Sequence, residues 1–358
     1  MDATTRTSTV GAAWQRLSTM ARSAVKVATT RARIASTPRQ AIWTLNKATL
    51  YRYTPVLPAE ERHPVPLLLI FALMNRPSIL DLRPGNSFIE WMLQRGYDVY
   101  LLDWGAPGPE DSELGFEDYV LEYMPRAVRK IRAVSGSESI SVLGWCIGAL
   151  LTTLYGALRP DGLANLILLT APLDFSHPER IALARMTDDQ YLNEDLLLKA
   201  YGNMPAALID YGAKMLKPVE NFVGNWVRLL DNLDKPKLVD SWHAMNTWVT
   251  DGIPMAARTY RQLINDFYRE DRLMKGTLAL RGEKVDLGRL VADLLVVIAD
   301  DDHITPPCQS ETIVEKVGSA DKQLLRVAGG HIGIMAGSGA VKSTWPKIDA
   351  WLGPRSNG

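Results

Sequence analysis

The sequence predicts an α/β fold with a mostly parallel central sheet and one large helical insertion. Three observations carry this prediction. From about residue 64 onward, short aliphatic runs alternate with segments of helical period, as in a parallel sheet covered by crossover helices. The alternation stops between residues 172 and 286, where no buried-strand pattern occurs, and resumes at 294. A glycine-flanked cysteine sits where one strand gives way to a helix.

The elements follow in order. Residues 65–73 form a continuous aliphatic run, the signature of a strand buried on both faces. Residues 86–94 read as a short helix and 97–103 as the next strand, ended by Trp104-Gly105. Residues 116–134 carry apolar side chains at steps of three and four and read as a helix. Then come strand 139–143, helix 147–158 and strand 163–170. After the insertion, strand 294–299, helix 309–317, strand 324–327 and helix 340–352 complete the pattern. The core is thus residues 36–171 and 287–358. Residues 172–286, dense in Met, Trp, Tyr and Phe, form a cap over the sheet edge where α/β folds place ligands.

Composition narrows the function classes. The 358 residues suffice for one large domain with an insertion or for two domains, at ~100–200 residues each. Only two cysteines occur, Cys146 and Cys308, which excludes a disulfide framework and predicts a reducing, cytoplasmic compartment. The longest apolar run, residues 65–74, falls well short of the ~18 residues of a membrane span. The polar start carries no signal-peptide pattern. Residues 1–52 hold nine Lys/Arg and one acid, against 31 basic and 39 acidic residues in the remainder. Residues 1–35 therefore read as a basic arm, either mobile and solvated or an amphipathic helix for an anionic surface or acidic partner. Nothing else in the sequence supports nucleic-acid binding.

Gly144-Trp145-Cys146-Ile147-Gly148 has the G-x-nucleophile-x-G pattern of a nucleophile elbow, between a predicted strand and a predicted helix. A turn this tight strains the nucleophile's backbone, and glycines two residues to either side avoid collision with it. The helix N-terminus behind Cys146 supplies positive potential that favours a thiolate. A thiol nucleophile needs a base and an orienting acid. The order nucleophile, acid, histidine is that of an α/β-hydrolase fold. Here one late strand runs into Asp300-Asp301-Asp302-His303 and the last into Gly329-Gly330-His331. His331 is the candidate base. Asp300, Asp301 and Asp302 are all compatible with the acid on spacing alone. His63, His177, His243 and His303 read as structural or solvated, and Cys308 as incidental. The oxyanion donors are expected at the backbone N–H of Ile147 and of Met74 or Asn75, in the loop after the first core strand. No ligand set for a metal is apparent and no cofactor is expected.

These residues and several further motifs resemble the catalytic subunit of polyhydroxyalkanoate synthases, most closely the short two-component type called class III. The likeness runs from about Thr37 to Leu352. It includes Leu50-Tyr51-Arg52-Tyr53, Asn75-Arg76-Pro77, Asp103-Trp104-Gly105, the elbow, Asn203-Met204-Pro205, Phe267-Tyr268, Lys284-Val285-Asp286-Leu287, Asp302-His303 with Pro306-Pro307, and Gly329-Gly330-His331. In that family the catalytic Asp directly precedes a His in a D-H-x-x-P pattern, which implies Asp302. The resemblance also implies (R)-3-hydroxyacyl-coenzyme A as substrate and a growing polyester as product at a granule surface. It further implies a homodimer and a smaller second subunit. Two features depart from the family: Ala149 stands where a second glycine is common, and the basic arm has no counterpart. The competing expectations are a cysteine hydrolase on the same scaffold, such as a dienelactone hydrolase or polyester depolymerase, and a catalytically silent granule scaffold.

Overall fold

The computed structural model describes residues 3–357, with side chains from Trp14 onward. Eight strands build one sheet: β1 (Arg39–Leu45), β2 (Ala48–Tyr53), β3 (Leu67–Ile70), β4 (Val99–Asp103), β5 (Ile140–Trp145), β6 (Leu163–Leu169), β7 (Asp293–Ala299) and β8 (Lys322–Val327). Their order across the sheet is β1-β2-β4-β3-β5-β6-β7-β8. β1, β2 and β4 pair antiparallel. From β4 to β8 every neighbouring pair is parallel. β3 and β5 are buried at every residue, which is why β3 is an unbroken aliphatic run and β5 carries no charged side chain.

The β1–β2 hairpin has no counterpart in the strand pattern of the sequence. β1 lies at the sheet edge and is half exposed, so its residues do not alternate cleanly. The turn is Asn46-Lys47, with Asn46 at φ 51°, a conformation Asn tolerates better than most residues. Two small ribbons were also not foreseen. Asp81–Arg83 pairs with Asn86–Ser87, and Ala279–Leu280 with Glu283–Lys284. The second turns on Arg281 and Gly282, both left-handed, and adds a strand pair to a segment expected to be helical.

Helix α1 (Ala3–Thr29) precedes the sheet. Helix α2 (Phe88–Leu93) starts where the Ser87 hydroxyl accepts the Glu90 N–H at 3.0 Å. The helix expected over 116–134 is present but not uniform. Phe116–Asp118 and α3 (Met124–Ser135) are joined by a π turn, in which the Met124 N–H reaches back to the Tyr119 carbonyl. Pro125, next in sequence, has no N–H to continue a regular ladder, and the wider turn accommodates its ring. Helix α4 (Ile147–Leu158) is buried at every position and fixes the elbow from behind.

Between β6 and β7 the chain forms helices at Ala182–Met186, Glu194–Tyr201, Ala206–Lys214, Asn225–Leu230, α5 (Pro236–Val249) and Ala257–Gln262. Asn203 ties this cap to the core: its amide donates to the Gly108 carbonyl at 2.6 Å and accepts from the Ala257 N–H at 3.1 Å. The cap leaves Tyr191, Val219, Trp226 and Leu230 exposed. α1 lies along α5. Arg16 pairs with Asp234 at 2.9 Å, Lys26 with Asp240 at 2.7 Å, and His243 Nε2 bonds the Thr30 carbonyl at 2.8 Å. Helix α6 (Thr344–Arg355) closes the fold. Among the described residues no helix is long and apolar enough to cross a membrane.

Candidate active site

β5 delivers Cys146 to the C-terminal edge of the sheet. Its backbone sits at φ 57° and ψ −127°, a region costly for any residue with a Cβ. The Cys146 N–H is held by the Leu169 carbonyl at 3.0 Å, and its own carbonyl accepts the Ala149 and Leu150 amides that start α4. The flanking glycines are needed for a reason different from the one expected. A side chain at Gly144 would strike the first turn of α4, at Ala149 Cα and the Gly148 carbonyl, 2.6 Å away. One at Gly148 would overlap the backbone of Ile70 and Phe71 at the end of β3. The glycines let the helix dock on the sheet rather than clear space around the nucleophile. Ala149 is fully buried here. Gly148→Ala is expected to cost about 3 kcal/mol or more, because the obstructing atoms are backbone of a central strand. A urea melt of the purified variant checks this, with a change of under half that size counting against the packing argument.

Asp302 and His331 meet at the same edge. The His331 Nδ1 donates to Asp302 Oδ2 at 2.7 Å, and both residues are buried. The other carboxylate oxygen of Asp302 accepts two backbone amides, Ile304 and Thr305, each at 2.9 Å. Of the three adjacent aspartates, Asp300 pairs with exposed Arg326 at 2.9 Å and Asp301 is exposed, so only Asp302 faces the imidazole. The imidazole stands between Asp302 and the Cys146 sulfur. Burial alone would lower the pKa of His331. The charges of Cys146 and Asp302, and their hydrogen bonds, outweigh burial and push it up to about 10. The imidazole therefore holds its proton firmly beside the Cys146 sulfur, the arrangement of a base paired with a thiol.

The remaining titratable candidates lie elsewhere. His63 packs on Tyr97, His177 is exposed beside Glu179, and His243 anchors the N-terminal segment. His303 follows Asp302 but does not meet Cys146, and its Nδ1 has no partner. Burial pushes the Cys308 thiol up, away from nucleophilic use.

The two sides of the proposed oxyanion site are unequal in outcome. Ile147 opens α4, where its N–H has no intrahelical acceptor, and it lines the cavity above Cys146. Met74 lines the same cavity, whereas Asn75 bridges to Gly252 of the cap. The loop carrying both is stitched to the cap: the Ile253 N–H donates to the Met74 carbonyl at 3.1 Å, and Trp248 Nε1 to the Arg76 carbonyl at 2.8 Å.

The cavity has a volume of about 330 Å³. Its floor is Cys146, Ile147 and Met74, and its walls are cap residues such as Met204, Leu208 and Ile264. Almost every lining group is apolar. Tyr268 is an exception that spacing alone does not reveal. Burial and then the neighbouring Cys146 charge push its hydroxyl up, so it stays neutral and can donate into the cavity.

Residues 83–338 match the family described as alpha/beta hydrolase fold, and residues 12–92 match that described as Poly-beta-hydroxybutyrate polymerase (PhaC) N-terminus. The chain is 37% identical over 323 residues to the poly(3-hydroxyalkanoate) polymerase subunit PhaC of Haloferax mediterranei, covering 90% of this chain and 65% of that protein. It is 36% identical over 318 residues to the subunit of the same name from Allochromatium vinosum, covering 89% of both. Among solved structures, a thermophilic esterase from Thermogutta terrifontis superposes with a TM-score of 0.54 at 15% identity, over 89% of this chain and 99% of that one. A monoglyceride lipase from Saccharomyces cerevisiae gives 0.54 at 15%, over 92% and 97%. These two likenesses establish the fold alone. The sequence relatives go further, and by them the chain belongs to the poly(3-hydroxyalkanoate) polymerases, a family of acyltransferases on the α/β-hydrolase fold.

Proposed function

We propose that this chain polymerises (R)-3-hydroxyacyl units from coenzyme A thioesters, with 3-hydroxybutyryl-coenzyme A as the substrate to test first. The observation that supports this reading best is the line Cys146–His331–Asp302, whose Cys146 end opens onto the floor of an apolar cavity. The Cys146 thiolate attacks the thioester carbonyl, forming a new carbon–sulfur bond. The bond to coenzyme A breaks, and the departing sulfur takes the proton held by His331. The oxyanion formed on the way is met by the Ile147 and Met74 backbone amides. A hydroxyl, from the growing chain or an incoming monomer, then attacks the acyl-Cys146. It gives its proton to His331, the ester forms and Cys146 leaves as thiolate. Asp302 holds the imidazole in the tautomer and orientation both steps need.

No cofactor enters this scheme, since coenzyme A is only the leaving group. Apolar walls keep water from competing with the hydroxyl. The exposed Tyr191, Val219, Trp226 and Leu230 of the cap suit contact with an apolar granule surface, a second copy or a smaller partner subunit in the cytoplasm.

The test is to supply 3-hydroxybutyryl-coenzyme A with and without a candidate second subunit, following free thiol and insoluble polymer together. Both are expected to rise in step. Soluble hydroxyacid as the only product would make the protein a cysteine hydrolase. Thiol release absent under both conditions would leave a scaffold.

A further inference from the structure

A second cavity lies where three parts of the chain meet. It has a volume of about 410 Å³. Lys26, Arg31 and Arg33 come from the N-terminal segment, Arg83 from the ribbon after β3, and Asp240 and His243 from cap helix α5. Its charge is one-sided. Lys26 is matched by Asp240, and Arg16 on the same segment by Asp234. Arg31, Arg33 and Arg83 make no ion pair among the described residues. Arg83 reaches only the Ser241 hydroxyl, at 3.3 Å, and its Nε is buried without a partner. A buried guanidinium nitrogen left unbonded is uncommon in folded proteins and calls for an acceptor. Three guanidinium forks around one hollow match a group with several anionic oxygens.

We propose that this cavity binds a phosphate-bearing anion of two or more charges, such as a diphosphate group, and that the anion fastens the N-terminal segment and the cap helix to the core. Each part supplies a contact: Arg31 and Arg33 from the segment, Arg83 from the core, and α5 the wall that already anchors Thr30 through His243. The volume exceeds what a single phosphate fills, which favours a diphosphate or a larger phosphorylated group. The group has two sources, a free phosphorylated compound or a phospholipid headgroup. The site is separate from the Cys146 cavity and shares no lining residue with it.

The experiment uses the full chain at physiological ionic strength, so that diffuse attraction is screened. Inorganic pyrophosphate is titrated by calorimetry. In parallel, the protein is sedimented with phosphatidylcholine vesicles with and without phosphatidic acid. Saturable binding is expected, weakened by about tenfold or more in the double variant Arg31→Gln/Arg33→Gln and less in Arg83→Lys, which keeps charge but loses the fork. Thermal unfolding and thiol release should not change in the double variant, because both arginines are exposed and outside the reacting groups. Pyrophosphate binding lost in the variant identifies a free phosphorylated ligand. Vesicle binding alone, lost in the variant, identifies a headgroup. Binding of neither probe, or binding unaltered in the double variant, overturns the proposal.

Discussion

Replacing Cys146 with alanine is expected to lower thiol release from 3-hydroxyacyl-coenzyme A by on the order of 10⁶-fold and to abolish polymer, with the fold intact. In the proposed mechanism the nucleophile carries the acyl group in both half-reactions, so no neighbouring group can substitute for it. The same position tests the elbow physically. Its φ of 57° is strained for any residue bearing a Cβ, so Cys146→Ala keeps the strain while Cys146→Gly releases it. Release is worth roughly 1–3 kcal/mol, offset by roughly 0.5–1 kcal/mol of added chain entropy in the unfolded state. The glycine variant should therefore be about 1 kcal/mol more stable than the alanine variant while equally inactive. Urea melts of the two variants decide it; equal midpoints would mean that the backbone there carries no strain.

Asp302→Asn is the second large effect, with an expected rate loss of about 10³–10⁴-fold. The asparagine carbonyl can still accept the Ile304 and Thr305 amides that held Asp302. Its NH₂ group then faces Nδ1 of His331, which must become an acceptor. The ring proton moves to the nitrogen nearer Cys146, and the base is lost with the geometry preserved. Stability should respond to pH in step. His331 is raised from 6.5 to about 10, so the folded protein holds this proton more tightly than the unfolded chain does. Its contribution is complete below pH about 6.5 and is lost as pH rises toward about 10. In Asp302→Asn one of the charges raising His331 is gone, and the loss should begin at lower pH. Urea melts across that window, with the two proteins side by side, would sink the argument if their profiles coincide.

The parts of the fold that were legible are those where one physical demand dominates the residue choice. Strands β3 to β7 are covered on both faces, so their aliphatic runs stand out. The elbow is legible because two backbone approaches exclude any side chain at Gly144 and Gly148. Asp302 was not separable from Asp300 and Asp301 by spacing. What separates them is a sharp turn in which Asp302 accepts two amides and swings inward, a feature of three-dimensional closure rather than of period. The β1–β2 hairpin escaped because an exposed edge strand with an Asn-Lys turn has neither an aliphatic run nor a glycine to mark it. Tyr268 escaped as well, since its hydroxyl meets the cavity only through the packing of cap on core.

The stitches between the cap and the loop after β3 have a consequence for how a half-made polymer survives between rounds. The Met74 carbonyl is held by Ile253, and the Arg76 carbonyl by Trp248. A cap that lifts to admit a new thioester must break these bonds or drag the loop with it. With Met74 in the oxyanion role, lifting the cap also dismantles half of the oxyanion site. In the proposed mechanism accessibility and activation then exclude each other, and an acyl group carried on Cys146 under a raised cap would be a dormant thioester that water can reach but attacks only slowly.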